Sequence, residues 1–269
     1  MINLIQLIKT NNISYKIRNF LKLRPNLYVK PNNKNSPISD FFYWRNDKKY
    51  STQFALMNIG SHILPQLKQK DNVTILIYKY NGKLLKSLNF KLNDMDTIKV
   101  DFKIYNLEGS GSFFIFHNFK NKNFLNTNNT FVTERGYVGY KKNDHLWNYM
   151  HGNHNAAYLD SNKNIKSLMP ISFFYNEYIP QTRFDDVNNF KLIFNNVNKS
   201  TIKINIEIFG VKDSLIEKKS YTCKYLNTLE IPFFNKNFNI KFLKITSNLL
   251  FCRPIIFKEY DEGFDIYHG

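Results

Sequence analysis

Three of the chain's six histidines, one of its two tryptophans and three of its ten glycines fall between Phe131 and Asp160. His145, His151 and His154 lie close together there, with Asp144 and Asp160 nearby. Three imidazoles and one open coordination position make a catalytic zinc or iron site, and His151 and His154 are spaced to face a single ion. The spacing matches no established metal signature, and Gly152 leaves the backbone direction between them open. A metal-dependent enzyme built on His145, His151 and His154 is therefore the alternative function. The same stretch offers a second chemistry. Glu134, Arg135, Tyr137, Tyr140, Trp147, Tyr149, His151 and Asn153 mix ring faces with planar hydrogen-bonding heads. Sugar-like ligands are held by that combination, rings on apolar faces and hydroxyls on polar groups. The plainer account has Tyr137, Tyr140, Trp147 and Tyr149 filling the core and rim of a sheet protein, with Glu134 and Arg135 as a surface pair.

What must position these residues can be read from a repeat. The stretch recurs at the end of the chain, from Arg253 to Gly269, again running from an arginine through aromatics and an aspartate to a His-Gly pair. Asp144 and His151 have counterparts in Asp261 and His268, His145 aligns with Glu262, and His154 aligns with nothing. Residues common to both copies are expected to serve the fold, and His151 and His268 to occupy equivalent positions. Earlier segments repeat in the same order. Ile38 to Tyr43 is echoed by Ile171 to Tyr175, Phe54 to Asn58 by Phe190 to Asn195, and Val73 to Tyr78 by Ile202 to Ile208; Gly210 stands for Gly82. A shared order of elements reads as a duplication.

The repeated segments have strand character. Ile98, Val100, Phe102 and Ile104 alternate with polar residues, as do the four isoleucines from Ile202 to Ile208, which is the pattern of half-buried strands. Asn81-Gly82 is a hairpin signal. With 25 Phe and 17 Tyr the composition leans the same way. Each half carries short strands spaced by turns. The expected fold is all-β: two tandem antiparallel β-sandwich domains, at residues 36–160 and 165–269, preceded by an N-terminal amphipathic helix and linker over residues 1–35. The helix is read from the apolar positions Leu4, Ile5, Leu7 and Ile8, then Ile13, Ile17, Phe20 and Leu21, between basic residues. It suits packing on the protein body or peripheral contact with an anionic membrane through residues 1–23.

In each half a strand ending in Asn is followed by a β-branched alternating strand, a Gly turn and a return strand. The stretches Phe54–Asn58 with Val73–Gly82, and Phe190–Asn195 with Ile202–Gly210, weakly resemble the small β-sandwich of the sensory rhodopsin transducer type. About half of each repeat is covered, by motifs of low specificity. The resemblance implies a non-enzymatic binding or transducing sandwich that forms homo-oligomers. The duplication, the N-terminal helix and the His-Gly endings depart from it, so no partner carries over.

The net charge of +17 invites a nucleic-acid reading, but residues 1–35 alone hold seven basic and no acidic residues, and no nucleic-acid motif supports it. Nucleic acid is not the expected partner. Cys223 and Cys252 show neither zinc spacing nor a disulfide framework and read as buried thiols. No phosphate loop, dinucleotide fingerprint or nucleophile elbow occurs, so no cofactor is expected. Met1 to Leu23 lacks the continuous apolar run of a signal peptide or membrane span, and the expected location is cytoplasmic. The expected function is non-catalytic binding or scaffolding, with a glycan or protein partner met by the first sandwich, whose extra glycines and longer loop the second lacks.

Overall fold

The computed structural model describes residues 38–269 apart from 64, 120–132, 135, 170, 185–186, 188, 235–239, 251 and 269. The expected N-terminal helix and its membrane contact, Arg135, and most of the loop around residues 118–129 lie outside the described residues. At Glu134 and His154 only the backbone is described.

The described chain is almost entirely antiparallel sheet. In the first half, one sheet is built around β1 (Ile38–Asn46), β6 (Gly109–Phe119), β3 (Asp71–Lys79) and β4 (Leu84–Leu92), paired in that order. It is extended beyond β1 by β10 (Asn153–Leu159) and β11 (Ile165–Ser167), and the short β7 (Thr133–Glu134) pairs with β1 in parallel. A second sheet runs β5 (Thr97–Asp101), β2 (Tyr50–Met57), β8 (Tyr137–Lys142), β9 (Trp147–His151). The second half repeats both cores. One sheet is β12 (Ile171–Tyr178), β17 (Phe242–Leu249), β14 (Ile202–Phe209), β15 (Leu215–Cys223). The other is β16 (Thr228–Phe234), β13 (Asn189–Asn195), β18 (Ile255–Glu259), β19 (Phe264–His268). Strand for strand, β1-β6-β3-β4 matches β12-β17-β14-β15, and β5-β2-β8-β9 matches β16-β13-β18-β19.

Local details repeat with the topology. The β3–β4 ladder is offset between Ile77 and Tyr78, the β14–β15 ladder between Ile208 and Phe209. After β2, the buried Asn58 donates from Nδ2 to the carbonyls of Gln69 and Asn93, each at 2.8 Å. After β13, the buried Asn196 does the same to Ser200 and Cys223, each at 2.9 Å. In both halves one amide thus ties the end of a strand to the two ends of the neighbouring hairpin, satisfying carbonyls that would otherwise be buried without donors. The equivalent residue is Asn196, one beyond the Asn195 read from the sequence. The hairpin turns also correct an expectation. Lys79 N–H donates to Lys83 O, and Gly210 N–H donates to Ser214 O, so Gly210 stands at the place of Lys79. The place of Gly82 (φ 79°) is taken in the other turn by Asp213 (φ 56°), where Lys212 (φ 61°) is left-handed as well. Aspartate tolerates that conformation better than most residues, so no glycine marks the position.

Each pair of sheets closes on an apolar core, but the cores are unequal. The second holds Ile202, Ile204, Ile206 and Ile208 against Leu192, Ile231 and Ile256. The first, rich in Phe and Tyr, also takes in Ile193, Val197, Leu226, Ile255, Phe257, Phe264 and Ile266 from the second half. The sheet β16-β13-β18-β19 is therefore apolar on both faces. Leu192 and Ile256 point to its own core, and Ile193, Ile255 and Phe257 to the first half. Polar contacts cross the same boundary. Tyr43 Oη donates to Glu230 at 3.0 Å, Ser110 Oγ donates to the same carboxylate, and Tyr50 Oη donates to Glu259 at 2.8 Å. The Arg45 guanidinium lies 4.0 Å from the Tyr50 ring centre and 3.5 Å from Glu259. Among the described residues no helix is long and apolar enough to cross a membrane.

Candidate functional site

The sheet β5-β2-β8-β9 has one face in the first core, made by Phe54, Val138, Tyr140 and Met150. Strand alternation sends the neighbours of these residues to the other face. Three cross-strand rows build that outer face: Ser51, Lys141 and Trp147; Gln53, Gly139 and Tyr149; and Tyr137 opposite His151. Tyr137 is 55% and Tyr149 47% exposed, so the rings stand on the surface and do not fill a core.

The middle row fixes the platform. A Cβ at residue 139 would lie 2.6 Å from Cε1 of Tyr149, so the ring rests directly over the glycine backbone. Its hydroxyl accepts a hydrogen bond from the buried Gln53 amide, reaching across β8. The Trp147 ring centre is 6.4 Å from that of Tyr149, with 35° between the planes. Tyr137 meets the His151 ring edge-on at 6.4 Å.

At the His151 end the two halves meet. His151 Nε2 and His268 Nε2 are 3.1 Å apart, His268 Nδ1 is 3.0 Å from an Arg253 guanidinium nitrogen, and His151 Nδ1 is 3.3 Å from the Gly152 carbonyl. Arginine can only donate, so His268 accepts at Nδ1 and carries its proton on Nε2. That proton goes to His151 Nε2, and His151 Nδ1–H faces the Gly152 carbonyl. One chain of hydrogen bonds thus runs from Arg253 to Gly152. The two histidines do hold equivalent places: each ends the last strand of its hairpin, opposite Tyr137 and Ile255 respectively. They also touch.

The remaining expected site residues divide. Tyr140 leaves the candidate surface, because strand alternation turns it inward. It is wholly buried, its phenol held well above the usual range by that burial, and it donates to the Tyr43 carbonyl at 2.7 Å. Asn153 is buried as well and donates from Nδ2 to the Arg253 carbonyl at 2.9 Å, joining β10 to the segment before β18. Glu134 sits in β7 beside Ser39 of β1, away from the β8–β9 hairpin in the pairing order. The metal alternative gains no cluster: among the described residues no three His, Cys, Asp or Glu side chains are grouped to hold an ion. His145 lies exposed in the β8–β9 turn, its N–H bonded to Lys142 O at 3.0 Å, while His151 is engaged with His268.

The sequence reading omitted Lys141 and Gln53. Lys141 could have been found by counting in twos from Tyr137, since 137, 139 and 141 share a face. Gln53 required knowing that β2 pairs with β8, which no local pattern reveals.

No family model matches the chain, and no curated protein matches it. Among solved structures, a β-glucuronidase from glycoside hydrolase family 2 shows a slight likeness over 85% of this chain and 23% of that one, at 10% identity and a TM-score of 0.15. The chain thus spans less than a quarter of that enzyme, and so low a score carries no argument about fold or activity.

Proposed function

We propose that the protein is a non-catalytic glycan-binding protein, and that the outer face of β5-β2-β8-β9 is where the glycan lies. One observation carries the reading. In the second half, the positions matching Tyr137, Gly139, Trp147 and Tyr149 are Ile255, Phe257, Phe264 and Ile266, given by the shared registers of the two hairpins. Those four are buried against the first half. At these four positions the face is aliphatic or Phe-lined and closed in one copy, and Tyr- and Trp-bearing and open in the other. A face released from packing would ordinarily turn charged and polar. Keeping three large rings there, one seated over a glycine and held by a buried amide, suits stacking against sugar rings.

The test is a glycan array followed by titration calorimetry on the full chain, with Trp147→Ala and Tyr149→Ala. Trp147 is half-buried and Tyr149 accepts from the buried Gln53 amide, so each variant is expected to stay folded with a somewhat lower melting temperature, while affinity for the glycans that bind falls about tenfold or more. Unchanged affinity in both variants, or no binding to any glycan, defeats the reading.

A further inference from the structure

We infer that the glycan held on this face is acidic, with its carboxylate taken by Lys141; this rests on the glycan reading above. Lys141 is directly opposite Trp147, on the same face and half-buried. Side chains in that relation have Cβ atoms about 5 Å apart. In a uronic acid, or a sugar of the same kind, the carboxyl group projects from the edge of the ring. A sugar whose apolar face rests on Trp147 and Tyr149 therefore sends its carboxylate sideways, where the Lys141 ammonium is in reach.

The charges around this position support the assignment. Lys142, the next residue, faces inward, and its ammonium is spent on the carbonyls of Tyr260 and Gly263, at 3.1 and 3.2 Å. Among the described residues Lys141 makes no ion pair with a carboxylate within 4.0 Å. The matching residue in the second half is Glu259, of opposite sign, which is engaged by Tyr50 and Arg45 at the closed face. The acidic residue in the cross-strand row of Gln53 is Asp101, on the far side of β2, and its Oδ1 accepts from Lys103 N–H at 2.9 Å. Two strand spacings, about 10 Å, separate β5 from β8, so Asp101 does not neutralise the lysine.

The experiment compares paired ligands on the full chain: oligogalacturonate, oligoglucuronate and sialylated oligosaccharides, each against its carboxyl-reduced counterpart. The acidic member of a pair is expected to bind about three- to fivefold more tightly at low salt, the gap narrowing as salt screens it. Lys141→Gln should bring the affinities of the two members together, and Lys141→Arg should restore the gap between them. Equal binding of acidic and neutral members by the unmodified protein, or a gap that survives Lys141→Gln, overturns the acidic assignment and leaves the glycan reading standing. No binding of any member overturns both.

Discussion

Gly139 and Tyr149 form a unit, because the ring occupies the space a side chain at 139 would need. In Gly139→Ala the half-exposed ring has room to swing outward, so the fold should survive with little change in melting temperature. The platform should not survive, and glycan affinity should fall as in Tyr149→Ala. Normal binding by Gly139→Ala would show that the seated ring is irrelevant. Tyr140, its sequence neighbour, should behave in the opposite way. Tyr140→Phe strands the Tyr43 carbonyl in the core, at a cost of about 1–2 kcal/mol in denaturant titrations, with binding untouched. The two cysteines give a third residue-scale expectation. Burial, with Cys252 close by, pushes the Cys223 thiol up to about 12, and burial pushes Cys252 to about 12 as well. A neutral thiol is unreactive, so a disulfide reagent at about pH 8 should label neither cysteine until the protein is unfolded. The sign for stability follows: the unfolded thiols ionise from their ordinary value of 9.0 while the folded ones stay protonated, so stability should decline as pH rises from there towards 12. Rapid labelling of the native protein would contradict this.

At the scale of elements, the asparagines after β2 and β13 are the joints of the two sandwiches. Asn58→Ala and Asn196→Ala each remove three side-chain hydrogen bonds, leaving two carbonyls without their donor and the N–H of Ser61 or Asn198 without its acceptor. Each should cost about 2–3 kcal/mol, read from the shift in urea midpoint. A loss in only one of them would mean that the two joints are not equivalent. The strands were legible where a sheet has one wet face: Ile202 to Ile208 alternates in the chain as it does in burial. The duplication was legible for the same reason, since equivalent strands must keep equivalent inward residues. Legibility failed where long-range pairing decides. Tyr140 and Tyr149 are alike in type, yet one is inside and one outside, a matter of register on β8 and β9. Gly210 misled because a turn's left-handed residue need not be glycine, and here Asp213 takes it. Glu134 and Asn153 looked like neighbours of the rings only because the chain is short between them.

For the molecule as a whole, the decisive fact is that the first core is completed by the second half. Phe257 is buried between Tyr50 and Phe264, with ring centres 5.2 and 5.3 Å away. Phe257→Ala should cost about 3–5 kcal/mol and destabilise both halves together, in one unfolding transition. Two separate transitions, with only the second half affected, would refute the shared core. For the same reason residues 165–269 made alone would expose Ile193, Ile255, Phe257 and Ile266, and binding is best measured on the whole chain. The open sheet face has a different consequence, for how such a protein changes over generations. Most substitutions that fail do so by disturbing buried packing, and this face has been excused from it. Tyr137, Lys141 and Trp147 can vary with little threat to folding, while their counterparts Ile255, Glu259 and Phe264 are held in place by what they touch. One copy of the repeated sheet is thus committed to architecture, and the other is left free to vary on an unchanged scaffold, which is where a change in the proposed glycan preference would fall.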